Sequence, residues 1–491
     1  AGMSPGMAGP ALTMLPDTAR SGEAFPPSEA DVVVVGAGLA GLRAAVTLAL
    51  AGMDVRVLEA RPRVGGRVLT LREPFADGLY AEAGGEFVSA AHRAVQDAAR
   101  AYGIDLHPLP DGPRLFAFGG RVLRARSLEE LGARFRADAE RIERATRQLT
   151  ARVDDPCRPW ASAARDLDAR SYADWLDGLG FDPISRAHRD AWVGVDYGVG
   201  PERISLLQYA RDERLLEAAT DGDDGRLRGG ADRLPLAMAA ELGQRVHLAT
   251  PVTAVERDGR AVTVHYTAGQ SGDAAAANGA AGRNAGRGGA GRSGAIRAQY
   301  AVLATPLTAL RRIEVRPGFA PERQAAIDGL GYTTIVKVFL QFRRRFWLDA
   351  GLSGRAMTDL PIQASYEATH GQPGERGILT VYTAGRASKY LTELHAEERL
   401  SFCLGHLERL YPGSGRHFEG GHAALWTDSA LGNAYSHFAP GEMRRFGPLL
   451  ARPEGRLHFA GEHTDPWQAT MNGALASGAR AAEEVLGRLR A

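Results

Sequence analysis

Lysine is almost missing from this chain. Lys337 and Lys389 are its only two lysines among 59 basic residues, the rest being arginine. Chemistry that runs through a lysine Schiff base therefore has few candidates. Cysteine is as scarce: Cys157 and Cys403 form no CxxC pair and have no partnering histidine spacing. That argues against a disulfide framework or a zinc site and makes two buried free thiols the expectation. Net charge is nearly absent too. At +1 it gives no electrostatic argument for nucleic acid or for an anionic membrane. Residues 1–29 lack a basic segment followed by an apolar core, so no secretory signal is expected. The single long apolar stretch, Val32 to Met53, is interrupted by Gly36, Gly38, Gly41 and Arg43. Strand, turn and helix explain those residues better than a membrane span. The expectation is a soluble, cytoplasmic protein with no nucleic-acid or membrane partner.

What is present is ordinary globular material, 44% hydrophobic and 24% charged. A chain of 491 residues is too long for one compact core, so two domains are expected. Residues 1–29 read as a flexible leader. Strand, helix, strand and glycine-rich loops follow over 30–110, then a polar, helical stretch over 111–227. Strands return at "RVHLATPVTAVERDGRAVTVHY", with Asp258-Gly259 as a hairpin turn. Residues 267–296, rich in Gly, Ala and Arg, offer almost nothing to bury and read as a disordered insertion at a hairpin tip. An RGG-like nucleic-acid segment is the sharper reading of that run, but interleaved aromatics are lacking. Residues 228–310, 311–424 and 425–491 are then assigned alternately to the first and second domains. Further strands are expected at "TTIVKVFLQF" and "GILTVYTAG".

"VVVVGAGLAGLRAA" carries G-x-G-x-x-G at Gly36, Gly38 and Gly41, directly after four valines. The first glycine permits a tight turn, the second lets backbone approach a pyrophosphate, and the third lets helix and strand pack closely. A helix starting near Leu39 and Ala40 would point its amides at that pyrophosphate. Glu59, 18 residues after Gly41 and followed by Ala60 and Arg61, is placed to accept both ribose hydroxyl hydrogens. This unit alone does not separate NAD from FAD. In "RPRVGGRVLT", Gly65 and Gly66 allow close backbone approach, and Arg67 can neutralise a phosphate or bond the flavin side.

Near the other end, "FAGEHTDPWQATMNGALASG" (Phe459 to Gly478) reads as a second strand, glycine-rich turn and helix. With "LEARPRVGGRV", "AEAGGEFV" and "MNGALASGARAAEEV" in order, the chain resembles the flavin-containing amine oxidases over about Ala30 to Leu489. The resemblance implies an α/β fold: a discontinuous Rossmann-like FAD-binding domain with a second, α+β substrate-binding domain. One extended FAD is implied, its ADP half on the N-terminal unit and its flavin half on the C-terminal one. Gly461 and Glu462 match the contact to the ribityl or phosphate region. Thr470, Met471, Asn472 and Ala474 match the helix start that faces the flavin pyrimidine edge, where a helix dipole stabilises reduced flavin. Gly84, Gly85, Glu86 and Phe87 match the loop beside the flavin ring, and Val252 a backbone contact to adenine. Tyr435 takes the place of a cage aromatic in the substrate cavity, with Thr470 at the second cage position.

Departures from the family pattern carry further expectations. Ala434 stands where monoamine oxidases tether FAD through cysteine, so non-covalent FAD is expected. Phe87 stands where L-amino-acid oxidases place a carboxylate-binding arginine, which disfavours a simple α-amino acid. Glu86 could attract a cationic amine or satisfy backbone amides in a tight loop. Many members hold a water near flavin N5 with a lysine, sought here in "TPLTALRRIEVRP", which has Arg311, Arg312 and Arg316 but no lysine. The implied activity is oxidation of a C–N bond of a small-molecule amine by hydride transfer to FAD, with O2 or another acceptor and a homodimer as the allowed oligomer. A flavin enzyme acting on C–C bonds and a non-catalytic FAD scaffold are the alternatives.

Overall fold

Four consecutive valines decide how the chain starts. In the computed structural model, which describes residues 26–217, 224–268, 292–427 and 432–490, β1 (Glu29–Val35) points Val33 and Val35 into one core and Val32 and Val34 into another. A strand buried on both faces belongs inside a parallel sheet. The leader expected over 1–29 lies outside the described residues except for its end, where Glu29 is already in β1. Helix α1 (Leu39–Leu50) and β2 (Val55–Leu58) complete the first unit.

The stretch after Asp111 departs from the polar, helical expectation. It opens with a hairpin, β3 (Arg114–Phe118) and β4 (Arg121–Ala125), turned by Gly119 and Gly120 at positive φ. Helices come only afterwards: α2 (Ala133–Thr150), α3 (Pro183–Tyr197) and α4 (Leu206–Leu216). The ends of α3 are set by local chemistry. The Asp182 carboxylate accepts from the Ile184 N–H, Pro183 takes the first turn, and Gly198 stops the helix at φ 71°.

Next come β5 (Val246–His247), β6 (Val252–Arg257), β7 (Val262–Ala268), β8 (Arg292–Leu303) and β9 (Glu314–Arg316). Asp258 does turn the β6–β7 hairpin, accepting from the N–H groups of Arg260 and Ala261. The β7–β8 ladder is paired out to Ala268 and Arg292, so both edges of the presumed 267–296 insertion are strand. Its middle, 269–291, lies outside the described residues. The chain closes with β10 (Ile335–Phe342), β11 (Ala356–Thr358), β12 (Ala364–Glu367), β13 (Gly377–Ala384), β14 (Phe418–Trp426), β15 (Leu457–Phe459) and α5 (Met471–Arg490).

Two large sheets result. One has the order β5-β2-β1-β8-β7-β6-β9, with β15 pairing in parallel beside the end of β8. Its core strands β5, β2, β1 and β8 are parallel, and the N- and C-terminal units thus meet in one sheet. The helices meet as well: a side chain at Gly478 of α5 would collide with the Ala40 carbonyl of α1. Small residues there let the first and last helices cross closely. The other sheet has the order β14-β10-β13-β12-β11-β3-β4. Its central strands β10 and β13 are buried along their whole length. One face, with Val336, Val338 and Leu340, packs on the core that includes Leu407. The opposite face carries Ile335, Lys337 and Phe339, by the two-residue period of a strand.

Candidate active site

One cavity of about 1680 Å³ runs from the Gly36–Gly38 turn to Tyr435 and Tyr382. That exceeds the ~300–1,000 Å³ usual for a single small ligand, so a dinucleotide and a substrate fit together. Of the residues matched in the sequence to cofactor or cage positions, all line it except Gly41 and Asn472. Those two have structural work instead. Gly41 lets α1 pass against the Gly36 carbonyl, where a Cβ would collide. The Asn472 side-chain carbonyl accepts from the Ala94 N–H at 2.8 Å and fixes the start of the helix Arg93–Ala101.

The nucleotide end is prepared for an anion. Gly38 precedes α1 with no side-chain cap, so the first amides of the helix are left for a ligand. A Cβ at Gly38 would meet nothing within 4 Å, which leaves that backbone open to close approach. Glu59 accepts from the N–H groups of Ala37 (2.7 Å) and Arg61 (2.9 Å), fixing its carboxylate between the turn and the next loop. The Thr305 hydroxyl, on the cavity wall, is buried without a protein partner. An open glycine, uncapped amides and an orphaned hydroxyl fit an extended FAD.

Arg67 joins the two nucleotide units across almost four hundred residues. It pairs with Glu462 at 2.6 Å and donates to the Ala434 carbonyl at 2.8 Å. Glu462 also accepts from the Ser436 hydroxyl and the Ala469 N–H. Burial alone would raise the Glu462 carboxyl, but Arg67, His463 and these hydrogen bonds outweigh it and hold it below the usual range. Ala469 sits at φ 66°, a conformation costly for a residue with a side chain, and its N–H bond to Glu462 helps to hold it there. Thr470 then caps α5: its hydroxyl accepts from the Gly473 N–H at 3.0 Å and donates to the Trp467 carbonyl. The second cage position is therefore a helix cap that also lines the cavity.

Glu86 overturns both readings offered for it. It neither faces the cavity as a free acid nor satisfies its own loop. Instead it is buried, with Lys337 at 2.9 Å, Arg226 at 2.8 Å and the Tyr366 hydroxyl at 2.7 Å. Burial would raise it, but Lys337 and Arg226 outweigh that and keep it ionised. The family's lysine was sought after Thr305, but the lysine on the cavity wall is Lys337, from another strand. The 305–317 segment has none, but β10 delivers Lys337, whose ammonium also donates to the carbonyls of Glu82 and Gly84. A lone lysine in an apolar eight-residue strand, in a chain with only two, was the available signal. Glu82 beside it is pushed up to about 8 by burial, with the nearby Glu86 charge adding.

At the opposite end of the cavity, the hydroxyls of Tyr435 and Tyr382 lie 3.1 Å apart. The Tyr435 hydroxyl also donates to the Asp196 carbonyl at 3.2 Å. Tyr382, Tyr366 and Trp426 are wall aromatics that sequence reasoning missed, because their strands come together only in the sheet. The Asp196 carboxyl, on the cavity wall, is pushed up to about 6 by burial and by Asp212. Ala434 stands beside Tyr435, and no cysteine lines the cavity. Of the two cysteines, Cys403 is buried as expected, but Cys157 is exposed. Among the described residues no group of His, Cys, Asp and Glu is arranged for a metal, and no helix is long and apolar enough to cross a membrane.

Comparison with known proteins agrees with this geometry. The family described as flavin containing amine oxidoreductase matches residues 39–486. The Mycobacterium tuberculosis protein AofH, which carries the name of a flavin-containing monoamine oxidase, is 30% identical over 94% of this chain and 97% of its own. Flavin-containing amine oxidase A of Bos taurus is 25% identical over 97% of this chain and 88% of its own. Putrescine oxidase bound to putrescine superposes with a TM-score of 0.79 at 25% identity, over 94% of this chain and 99% of the other. Cyclohexylamine oxidase from Brevibacterium oxydans IH-35A shares the fold, with a TM-score of 0.80 at 24% identity, over 94% of this chain and 100% of the other. The chain belongs to the flavin-containing amine oxidoreductases, FAD-binding enzymes that act on amines.

Proposed function

We propose that this enzyme oxidises the C–N bond of an amine held between Tyr435 and Tyr382, giving an imine that water hydrolyses to a carbonyl compound and an amine or ammonia. The observation that carries this reading is the single cavity joining the glycine turn at Gly38 to the tyrosine pair. FAD, when bound, would supply the redox chemistry, acceptance of a hydride from the amine carbon with O2 as the final electron acceptor and hydrogen peroxide as its product.

The chain's own residues bind, orient and set charge. The turn at Gly38 and the uncapped start of α1 would hold the pyrophosphate. Glu59 would hold the ribose, and Arg67 with Glu462 the region between phosphate and flavin. The loop Gly84–Phe87 and the start of α5 from Thr470 would flank the flavin ring. The amine must react as the free base, because an ammonium has no lone pair to support the iminium that forms. Burial beside Tyr435 and Tyr382 favours the neutral form. Asp196, near 6 and adjacent to Tyr435 through its backbone, is placed to take the proton that an arriving ammonium sheds. Lys337 is the one cationic side chain of β10 on the cavity wall. In the family such a lysine is tied to the use of oxygen.

The reading is tested by mixing the FAD-loaded enzyme anaerobically with primary, secondary and polyamines and following flavin bleaching. At least one class should bleach it, and air should then restore the colour with release of peroxide. Tyr435→Ala should retain FAD but slow reduction by at least about tenfold, since loss of attack geometry is costly. Bleaching by C–C donors with none from amines would overturn the reading.

A further inference from the structure

The cavity has a second charged end that amine oxidation does not use. Arg114 at the start of β3, Arg226 in the short strand Gly225–Leu227 and Arg355 just before β11 all line it. The backbone sets two of them side by side: the Leu115 N–H donates to the Arg355 carbonyl at 3.0 Å, and β3 pairs in parallel with β11 from there. Arg226 reaches in from the strand paired with Phe87, its guanidinium 5.0 Å from the Phe87 ring centre and 5.5 Å from that of Tyr366.

Among the described residues, positive charge is in excess at this end. Among the described residues Arg114 and Arg355 form no ion pair, and the buried Nε of Arg114 has no hydrogen-bond partner. Arg226 shares Glu86 with Lys337. The other cavity carboxylate here, Asp224, accepts from the Ala90 N–H, while Asp111 near Arg114 is taken by Arg126. Among the described residues, Arg114, Arg226, Arg355 and Lys337 thus share Glu86 and Asp224 at this end. His188 adds no charge near neutrality, since burial lowers it to about 4. Burial, with repulsion from Arg114 and Arg226, also lowers Arg355 to about 10. Crowded guanidiniums in a half-buried cavity are stabilised by an oxyanion that can accept from several forks at once.

Two rulers give the distance from this end to the tyrosine pair. In the second sheet Tyr382 is on β13, and the arginine-bearing strands β11 and β3 are two and three strands away. At ~4.8 Å per strand that is roughly 10–14 Å. Helix α3 packs across β13, β11 and β3 and gives the second measure. Its Asp196 carbonyl accepts from Tyr435, while His188, eight residues earlier, packs on Phe116 and Phe118 of β3. Eight residues of helix span about 12 Å.

We propose that the amine oxidised by this enzyme carries an oxyanion, a carboxylate or phosphate, roughly 10–14 Å from its reacting nitrogen, and that Arg114, Arg226 and Arg355 bind it. The inference rests on the reading that the amine sits at Tyr435. An α-amino acid, with its carboxylate two bonds from nitrogen, is too short to use both ends.

The test compares n-octylamine with 8-aminooctanoate in anaerobic reduction of the FAD-loaded enzyme. The apparent Kd of the amino acid should be lower by at least about tenfold, the scale of one charged hydrogen bond. Arg355→Met with Arg114→Met should erase that preference and leave octylamine reduction within about twofold, while Arg355→Lys should keep part of it. A readout without turnover uses octanoate and octyl phosphate, which have no amine to oxidise. One or both should perturb the flavin spectrum, compete with octylamine and lose affinity in the methionine variants, and the tighter of the two identifies the oxyanion. Equal affinities for octylamine and 8-aminooctanoate, or equal damage to both in the variants, would overturn the proposal. Arginine-dependent binding of octanoate with no amine able to bleach flavin would uphold the anion site and overturn the amine reading.

Discussion

Glu462 and Glu86 are both fully enclosed carboxylates beside the same cavity, and both are held below the usual carboxylate range. They reach that state differently. Glu462 has one cation, Arg67, and is otherwise satisfied by neutral groups, the Ser436 hydroxyl and the Ala469 N–H. Glu86 has two cations, Lys337 and Arg226, with the Tyr366 hydroxyl. The first arrangement fastens the two halves of the nucleotide site. The second anchors positive charge on the cavity wall, where a missing carboxylate would leave two buried cations exposed to each other.

That contrast fixes the order of effects. Glu86→Gln should be the most damaging change, costing about 3–5 kcal/mol of stability in denaturant titration, as removal of one member of a buried charge cluster does. Glu462→Gln should cost less and should show chiefly as lost flavin. Adding Lys337→Met to Glu86→Gln should recover ~1 kcal/mol, because one unpaired cation is then gone. If Glu462→Gln proves the worse, or the second substitution restores nothing, the two centres do not differ as described.

Glu82 sharpens the comparison through pH, because its sign is opposite. Its carboxyl is raised to about 8, so the folded state keeps a proton that the unfolded chain loses near 4.5. Stability is then lost as pH rises between those values, at roughly 1.4 kcal/mol per pH unit for a single group. Glu86 and Glu462, being lowered, stabilise above the unfolded value, and their contribution disappears only as pH falls through their folded values. Glu82→Gln should therefore raise the melting temperature at pH 8 and give little gain at pH 5. An equal gain at both would show that Glu82 does not titrate in this range.

Smaller effects are expected at the edges of the two units. Thr470→Ala removes the cap of α5 and should cost ~1 kcal/mol, with flavin content preserved. A loss of several kcal/mol would mean that the threonine does more than cap. Replacing residues 269–291 by a tight turn should change the melting temperature least. A chain-closure term changes by only about 0.6 kcal/mol per halving of length, and the β7–β8 ladder is paired up to Ala268 and Arg292. A marked fall in Tm would show that the removed residues pack on the fold.

The nucleotide end was legible because its determinants are local. Val32–Val35, Gly36, Gly38 and Glu59 lie within one strand-turn-helix-strand unit, so spacing alone puts backbone, dipole and carboxylate in register. The C-terminal return was legible through its glycine pattern, though that pattern did not show that Thr470 spends its hydroxyl on a cap. The substrate end was not legible in the same way. Lys337, Tyr382, Tyr366, Arg226, Arg355 and Arg114 come from six separate segments. No spacing along the chain records that their strands lie side by side. The lysine was sought in the wrong segment, and Glu86 was read without the partners that the sheet brings to it. The sequence determined the fold family and the cofactor, because those depend on backbone turns and small residues at fixed local offsets. Only the tertiary structure decided which charges face the cavity, because pairing of distant strands puts them within a few ångströms of one another and burial makes each unpaired charge count.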